Sequence, residues 1–295
     1  MGRDWSPDDR EPDSSGLSRA GGGSPPPPPR EDDWRARVEA GVAPPGGERF
    51  LVVRWHEHVV TVSPSEQGTL RTLGAYRTIA APDLATHRYD GDRTRFDREV
   101  RRLVRHGWVR AAIAPGRHGG RETPVLTLTR DGAAFARQHV VPEGQALHWG
   151  LVKPKEQQHD AAIYRMAMAE TERLARGGHT VRRVVLDAEL KGQLASARNR
   201  PGPDAPEART ETAARALHLR VVDGSVQIPD LRLEYETREG ARAHVDLELA
   251  TEHYKPGQVA AKAQAGFTIY ASPSQTGRLS AALQDRGLVV EILSL

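Results

Sequence analysis

The chain has 295 residues, 38% of them hydrophobic, and a formal net charge of +3. It contains no cysteine, which excludes disulfide bonds, thiolate zinc sites and cysteine nucleophiles. No apolar run reaches the length of about 18 residues that would predict a membrane span, and the N-terminus lacks the basic and apolar segments of a secretory signal. We therefore expect a soluble cytoplasmic protein with no membrane partner.

Arginine supplies most of the positive charge, because only five of the 42 Lys and Arg residues are Lys. The planar guanidinium suits phosphates and base edges. A genome rich in G and C would produce the same bias, so composition alone favours a nucleic-acid partner only slightly.

The first 47 residues differ from the rest of the chain in composition. Gly, Ser, Asp and Arg dominate there, and a run of five prolines extends from Pro25 to Pro29. Such a composition cannot build a core, so residues 1–47 are predicted to be a disordered arm.

Residues 48–140 show the element order of a winged helix-turn-helix. Ser63 and Glu66 form a capping-box pattern at the start of a first helix, in which Ile79 is expected as an apolar position. The segments "AAPDLATHRY" and "DRTRFDREVRRLVRHG" predict two further helices, the last ending at Gly107. Two strands, "VRAAI" and "VLTLT", follow on either side of the glycine-rich turn "PGRHGGRETP". Three helices followed by a two-stranded wing are typical of this DNA-binding fold.

The third helix carries two stripes at helical spacing. Its apolar positions predict one buried stripe: Phe96, Val100, Leu103 and Val104. Its arginines predict a separate cationic stripe suited to DNA phosphates: Arg95, Arg98, Arg102 and Arg105. The wing turn adds Arg117 and Arg121. Double-stranded DNA is therefore the predicted partner, the alternatives being a solvated basic face or a protein contact.

The remaining residues predict a linker over 141–155 and a mixed α/β domain over 156–295. A helix over 156–176 places His159 and Glu170 on its apolar face, where a buried carboxylate needs a partner. A strand, "TVRRVVL", and a hairpin over residues 228–254 follow. The segment "GQVAAKAQAGFTIY" then predicts a helix, and "GLVVEIL" predicts a last strand.

The hairpin places three acids on one face. Its residues alternate between apolar and charged, so Asp230, Asp246 and Glu248 share a face. Folding it about a turn near Arg238 is expected to set Asp230 opposite Asp246, with Glu248 one step further. Carboxylates that close either retain a proton or bind a cation, and oxygen ligands suit Mg²⁺ or Mn²⁺. Alternatively, these acids pair with neighbouring cations on an exposed face.

These residues resemble the PD-(D/E)xK nuclease motif, with Pro229 and Asp230 followed by acids on the next strand. The segment "LATEHY" and the pair His159–Asp160 resemble the replication-relaxation family of plasmids and mobile elements. That family joins a winged helix to a restriction-endonuclease-like α/β domain with a central mixed sheet. The resemblance covers roughly residues 63–290.

The resemblance implies site residues for the second domain. Asp230 and Asp246 would be metal ligands, joined by Glu248, and Glu170 would be an accessory acid. Glu248 stands where these nucleases have a lysine. Lys262, on the following helix, is therefore the substitute that the resemblance implies.

Three functions stay open at this point. The first is a DNA-binding accessory protein in the replication or processing of a mobile element. The second is an active Mg²⁺-dependent endonuclease. The third is a winged-helix transcription regulator whose second domain forms a homodimer or senses a ligand.

Overall fold

The structure is a computed structural model that describes residues 49–116, 121–201, 205–251, 254–288 and 290–295. The predicted arm over 1–47 and Arg117 of the wing turn lie outside the described residues.

Helices and strands alternate through most of the described chain. The helices are α1 (Pro64–Tyr76), α2 (Ala81–Tyr89), α3 (Arg93–Arg105), α4 (Arg130–His139), α5 (Pro154–Arg176), α6 (Asp187–Arg198), α7 (Pro206–Ala216), α8 (Pro256–Gln264) and α9 (Pro273–Gln284). The strands are β1 (Leu51–Trp55), β2 (His58–Val62), β3 (Ile79–Ala80), β4 (Val109–Ala114), β5 (Thr123–Leu128), β6 (Thr180–Leu186), β7 (Val221–Val222), β8 (Ser225–Val226), β9 (Leu231–Glu236), β10 (Arg242–Ala250), β11 (Thr268–Ala271) and β12 (Ile292–Ser294).

Two larger sheets organise these elements. The first half of the chain forms a three-stranded antiparallel sheet with the order β3-β5-β4. The second half forms a five-stranded sheet with the order β12-β11-β10-β9-β6. In that sheet β10, β11 and β12 are parallel neighbours, whereas β9 is antiparallel to β10 and β6. The predicted mixed α/β class with a mixed sheet is therefore confirmed.

The start of α1 follows the local sequence signal, but its end does not. Ser63 Oγ accepts a hydrogen bond from the Glu66 backbone at 3.2 Å, and the Ser63 backbone donates to the Glu66 carboxylate at 2.9 Å. The predicted capping box is confirmed. The helix ends at Tyr76, and Arg77 takes a positive φ of 62°. Ile79 is thereby moved into β3 opposite Leu126, so the prediction that it lies on the first helix is wrong.

Helix α5 joins the two halves in one core. Its residues Ile163, Tyr164 and Met166 are buried with Leu73 of α1 and Leu247 of β10 in one continuous cluster. The Tyr76 and Tyr164 rings also meet edge to face with centroids 5.0 Å apart. The two halves therefore share a buried interface.

The segment 141–155, predicted as a linker, is packed against both halves. The His148 backbone donates to Gly74 at 2.8 Å. The Gln145 side chain makes two hydrogen bonds to the Val184 backbone, at 2.8 and 3.0 Å. Leu147 is buried. These contacts fix the segment in place on the fold.

The helix predicted over "GQVAAKAQAGFTIY" is wrong in its second half. Helix α8 ends at Gln264, and Gly266 has a positive φ of 88° that residues with a side chain rarely adopt. The aromatic and β-branched segment that follows becomes β11, which is buried beside β10. Helix α9 was also missed, and the last strand is shorter than predicted. Across the described residues, no helix has the length and apolar character that crossing a bilayer would need.

Candidate functional sites: an arginine face and an acidic cluster

Helix α3 presents arginines on the side opposite its buried face. Its buried residues are Phe96, Glu99, Val100 and Leu103. Each residue turns the helix by about 100°, so the direction opposite that face is occupied by Thr94, Arg98, Arg101 and Arg105. All four are exposed. Val104, predicted as buried, is 40% exposed, because the buried stripe runs through Glu99 instead.

Three of these residues, Arg98, Arg101 and Arg105, are named here the arginine face. None of their side chains makes a hydrogen bond or ion pair within the part of the chain that the structure describes. They line one open groove together with Thr94 and Val104. Arg101 was absent from the predicted stripe, although counting about 100° per residue from Phe96 would have found it.

The other two predicted arginines are held by buried acids. Arg95 Nε lies 3.1 Å from Glu99 Oε1, and Arg102 Nε lies 3.5 Å from Glu66 Oε1. The Arg102 guanidinium also donates to the Thr61 carbonyl. Burial raises the pKa of the Glu66 carboxyl, and the Arg102 charge opposes that rise. The predicted four-residue stripe therefore divides into two outward and two ion-paired arginines.

The wing turn places Arg121 at its far end. Arg121 is exposed, and its carbonyl accepts a hydrogen bond from Gln158 Nε2 on α5 at 3.2 Å. Arg117 lies outside the described residues, so its predicted contact with DNA has no structural counterpart here.

The hairpin of β9 and β10 has a register different from the predicted one. Asp246 lies opposite Arg232, and Leu247 lies opposite Leu231. The prediction that Asp230 faces Asp246 is therefore wrong by two residues. An even shift keeps every side chain on its predicted face, so the acids still share one side of the sheet. Asp230 now lies beside Glu248, to whose Oε2 its backbone donates at 3.3 Å.

Asp246 is engaged in a buried ion pair. The Arg232 guanidinium donates from Nε to Asp246 Oδ1 at 2.6 Å and from Nη2 to Oδ2 at 2.8 Å. Arg232 Nη1 donates to the Leu217 carbonyl at 2.6 Å, which ties the pair to the end of α7. Both side chains are less than a tenth exposed. The predicted ligand role of Asp246 would require this pair to open.

The acidic cluster, as the name is used here, consists of Asp230, Glu248, Lys262, Tyr254 and His159. Asp230 Oδ2 accepts from the Leu249 backbone at 3.0 Å. Tyr254 donates to Glu248 Oε1 at 2.5 Å. Lys262 Nζ lies 3.1 Å from the Glu248 carboxylate and also donates to the Ile228 carbonyl. The structure thus brings together Asp230, Glu248 and Lys262 of the predicted site.

The sequence reasoning gave His159 no role in the site. His159 Nε2 lies 3.5 Å from Asp230 Oδ1, and both side chains are partly accessible. Its position on the apolar face of α5 predicted burial and gave no sign of a carboxylate partner. Tyr254 was also missed, because its contact depends on how the chain turns after β10.

Glu170 lies apart from this cluster. It is fully buried, and it accepts hydrogen bonds from Arg173 Nε at 2.9 Å and from the Tyr270 hydroxyl at 2.8 Å. Eleven residues separate it from His159 on α5, which is about 16 Å along a helix. The prediction that this buried acid needs a partner is confirmed, but the structure does not bring it to Asp230.

The Glu248 carboxyl is the most perturbed acid of the cluster. Burial, and next the charge of Asp230, raise its pKa to about 7, whereas Lys262 and Tyr254 act in the opposite direction. Burial also raises the pKa of the Tyr254 hydroxyl above its ordinary range. A cation bound between Asp230 and Glu248 would favour the ionised form of the Glu248 carboxyl.

Glu248→Gln is expected to flatten the dependence of stability on pH. The folded protein binds the Glu248 proton more tightly than the unfolded chain, whose pKa is 4.5. This stabilisation is therefore complete below pH 4.5 and is lost as the pH rises through about 7. Its upper size is about 3 kcal/mol. Urea unfolding in EDTA at a series of pH values would measure it, with Glu239→Gln, an exposed change in the turn between β9 and β10, as control. If the free energies of unfolding of the wild type and of Glu248→Gln changed with pH in parallel, Glu248 would not be the group with the raised pKa.

The donor chemistry of the cluster fits Mg²⁺ or Mn²⁺. Asp230 and Glu248 supply carboxylate oxygens, and Mg²⁺ typically takes one or two carboxylates and keeps several waters. Within the described ranges, no group of three His, Cys, Asp or Glu side chains is arranged to hold a metal ion. The two carboxylates would hold it as a pair, with water or phosphate oxygens in the other positions.

Comparisons of the chain with protein-family models, with curated proteins and with solved structures found no match.

Proposed function

We propose that this protein binds double-stranded DNA, with α3 in the major groove and the strands β4 and β5 forming the wing of a winged helix-turn-helix. The observation that carries this proposal is the arginine face. Three guanidiniums point away from the core and have no partner within the described chain. The major groove admits one α-helix, and guanidiniums on its outer side can reach phosphates and guanine edges.

The position of α3 supports this proposal. Its inner face packs against Leu126 and the sheet β3-β5-β4 through Phe96, Val100 and Leu103, so the helix is fixed while its arginines stay in solvent. Arg110 on β4 and Arg121 beyond the wing turn are exposed as well. The backbone of this helix is already ordered before binding, so the conformational entropy lost on binding a polyanion is that of the arginine side chains.

Fluorescence anisotropy with a labelled duplex of about 40 base pairs tests the proposal. A protein that contacts phosphates should bind, and the logarithm of its affinity should fall linearly with the logarithm of salt concentration. Saturable binding supports the proposal if the slope corresponds to at least three phosphate contacts, at about 0.9 per contact. The absence of binding at low salt would overturn it.

A second candidate function, hydrolysis of a phosphodiester with Mg²⁺ or Mn²⁺, is favoured by Lys262. Glu248 stands where nucleases of the PD-(D/E)xK type have lysine, but Lys262 Nζ reaches to 3.1 Å from that carboxylate. A metal ion held by Asp230 and Glu248 would polarise the phosphate and lower the pKa of a bound water. Lys262 would then hold a phosphate oxygen, and Tyr254 would orient Glu248. Such an enzyme would match the resemblance to a restriction-endonuclease-like domain.

Asp230→Asn is expected to abolish binding of Mn²⁺ in calorimetry and any nicking of supercoiled plasmid. The amide removes a negative charge from the carboxylate pair and can still accept from the Leu249 backbone. Glu239→Gln, an exposed change in the turn of the same hairpin, is the matched control and should leave both readouts unchanged. If the wild type binds Mn²⁺ but does not nick the plasmid, the second domain is an accessory domain that has the metal site and lacks the cleavage reaction. If Asp230→Asn binds Mn²⁺ as tightly as the wild type does, the acidic cluster is not the metal site.

The resemblance to the replication-relaxation family suggests the biological role. A DNA-binding protein of a plasmid or mobile element, accessory to replication, relaxation or DNA processing, would need both a duplex-binding face and a domain acting on phosphodiesters. The competing function of a transcription regulator predicts sequence-specific binding that does not change when Asp230 is replaced.

A further inference from the structure

We propose that α3 reads base edges, with the Asp97 carboxylate accepting a hydrogen bond from a cytosine amino group and Val104 contacting a thymine methyl group. This inference rests on the proposed DNA binding and deepens it, because it names bases that the preferred duplex carries. The observation behind it is that the groove beside α3 contains a carboxylate and an exposed apolar side chain among its arginines.

Asp97 and Val104 lie on the same side of α3. Seven residues turn a helix by about 700°, which is close to two full turns. Together with Ala111 of β4, both residues line the groove that also contains the arginine face. Their separation along the helix axis is about 10 Å. A duplex rises about 3.4 Å per base pair, so this separation corresponds to about three base pairs.

The Asp97 carboxylate makes no hydrogen bond or ion pair within the described ranges of the chain. Arg93 and Arg101 stand four residues before and after it, a spacing at which a carboxylate and a guanidinium commonly pair. The Arg93 guanidinium instead lies over the Phe96 ring, 5.7 Å from the ring centroid. The Asp97 oxygens therefore keep their capacity to accept a hydrogen bond from a ligand.

Phosphate contacts do not account for these two side chains. A carboxylate and a phosphate repel each other, whereas the cytosine amino group in the major groove is a donor that Asp accepts from. Val104 is 40% exposed and offers no polar atom to a phosphate, whereas thymine presents a methyl group in the same groove. Arg98 and Arg105, further round the helix, can contact the phosphates on either side.

Selection from randomised duplexes, followed by anisotropy on the enriched site, tests the role of Asp97. We expect the wild type to enrich a site whose cytosine contributes at least about fivefold to the affinity. Asp97→Ala should lose this preference and bind unrelated duplexes more tightly, because an acid has left a surface that faces phosphates. Asp97→Asn should prefer adenine instead, since an amide can pair with adenine N6 and N7. A change of preferred base cannot arise from misfolding.

The role of Val104 is tested by removing the methyl group from the DNA. Replacing the enriched thymine by deoxyuridine should lower the affinity of the wild type about threefold, as expected for one buried methyl group. Val104→Ser should bind the two duplexes equally. Equal binding of both duplexes by the wild type would overturn this contact.

The outcomes separate this inference from the proposed function. Glu211→Ala removes one acid from the exposed side of α7, and as the matched control it should leave the base preferences unchanged. If Asp97→Ala binds every sequence more tightly and keeps the cytosine preference, Asp97 is a solvated acid and the inference is overturned. Binding by the wild type without any sequence preference would also overturn it and leave DNA binding intact. Failure of the wild type to bind any duplex would overturn both.

Discussion

Replacement of Arg98, Arg101 and Arg105 by alanine is expected to lower the affinity for duplex DNA at least about 100-fold. Each of these residues points away from the buried side of α3 and has no partner in the described chain. A charge-assisted hydrogen bond to phosphate contributes about 1.5–3 kcal/mol, and each lost phosphate contact lowers the salt slope by about 0.9. Anisotropy titrations between about 50 and 200 mM salt would measure both effects.

The matched control removes the same charge from another surface. Arg200, Arg215 and Arg220 are exposed residues around α7, and their replacement by alanine also lowers the net charge by three. This variant should keep its affinity within about threefold and its full salt slope. If both triple variants lose affinity equally, binding would follow from overall charge and α3 would not be the interface.

Arg95 and Arg102 should behave differently from the arginine face. They neutralise the buried carboxylates of Glu99 and Glu66, and removing either would leave a buried acid without its cation. Their replacement is therefore expected to lower the free energy of unfolding more than it lowers the salt slope of DNA binding. The spacing of the four arginines alone could not separate these roles, because Glu66 lies on α1, far away in sequence.

The elements with strong local signals could be predicted from the sequence. The capping box of Ser63 and Glu66 begins α1 as expected, and α3 ends just before Gly107, as glycine after a helix indicates. The mixed α/β class also follows from the order of periodic segments. The boundary between α8 and β11 was missed because a short apolar segment fits a buried strand or a helix by periodicity alone, although Gly266 and the aromatic and β-branched residues after it favour a strand.

The sequence predicts which face of the hairpin carries the acids, but it does not predict which residues lie opposite each other on the two strands. Alternation along the hairpin places Asp230, Asp246 and Glu248 on one side whatever the register, since side chains repeat every two residues. Which acid lies beside Asp230 depends on the turn between β9 and β10, and a two-residue difference substitutes Glu248 for Asp246. Contacts from α5 and α8 then complete the cluster. His159 and Tyr254 lie in the segments that carry the family resemblance, but no local pattern predicts that either contacts these acids.

Arg232→Ala is expected to lower the free energy of unfolding by about 3–5 kcal/mol, the usual cost of leaving a buried charge without its partner. Both Arg232 and Asp246 are less than a tenth exposed and are joined by two hydrogen bonds. Urea unfolding followed by circular dichroism would measure the change. The double variant Arg232→Met with Asp246→Leu should be less destabilised than Arg232→Ala, because no unpaired charge remains.

The same pair decides which acids of the hairpin hold a cation. If Asp246 is structural, Asp246→Asn should lower stability by about 1–3 kcal/mol and still bind Mn²⁺ with an affinity within about threefold of the wild type. Asp230→Asn should show the reverse, with stability changed by less than about 1 kcal/mol and the metal no longer bound. Loss of metal binding in Asp246→Asn at full stability would mean that the Arg232 pair opens to release Asp246 as a ligand. In that case the sequence resemblance would have assigned the ligands correctly, and the closed pair would be a resting arrangement of the site.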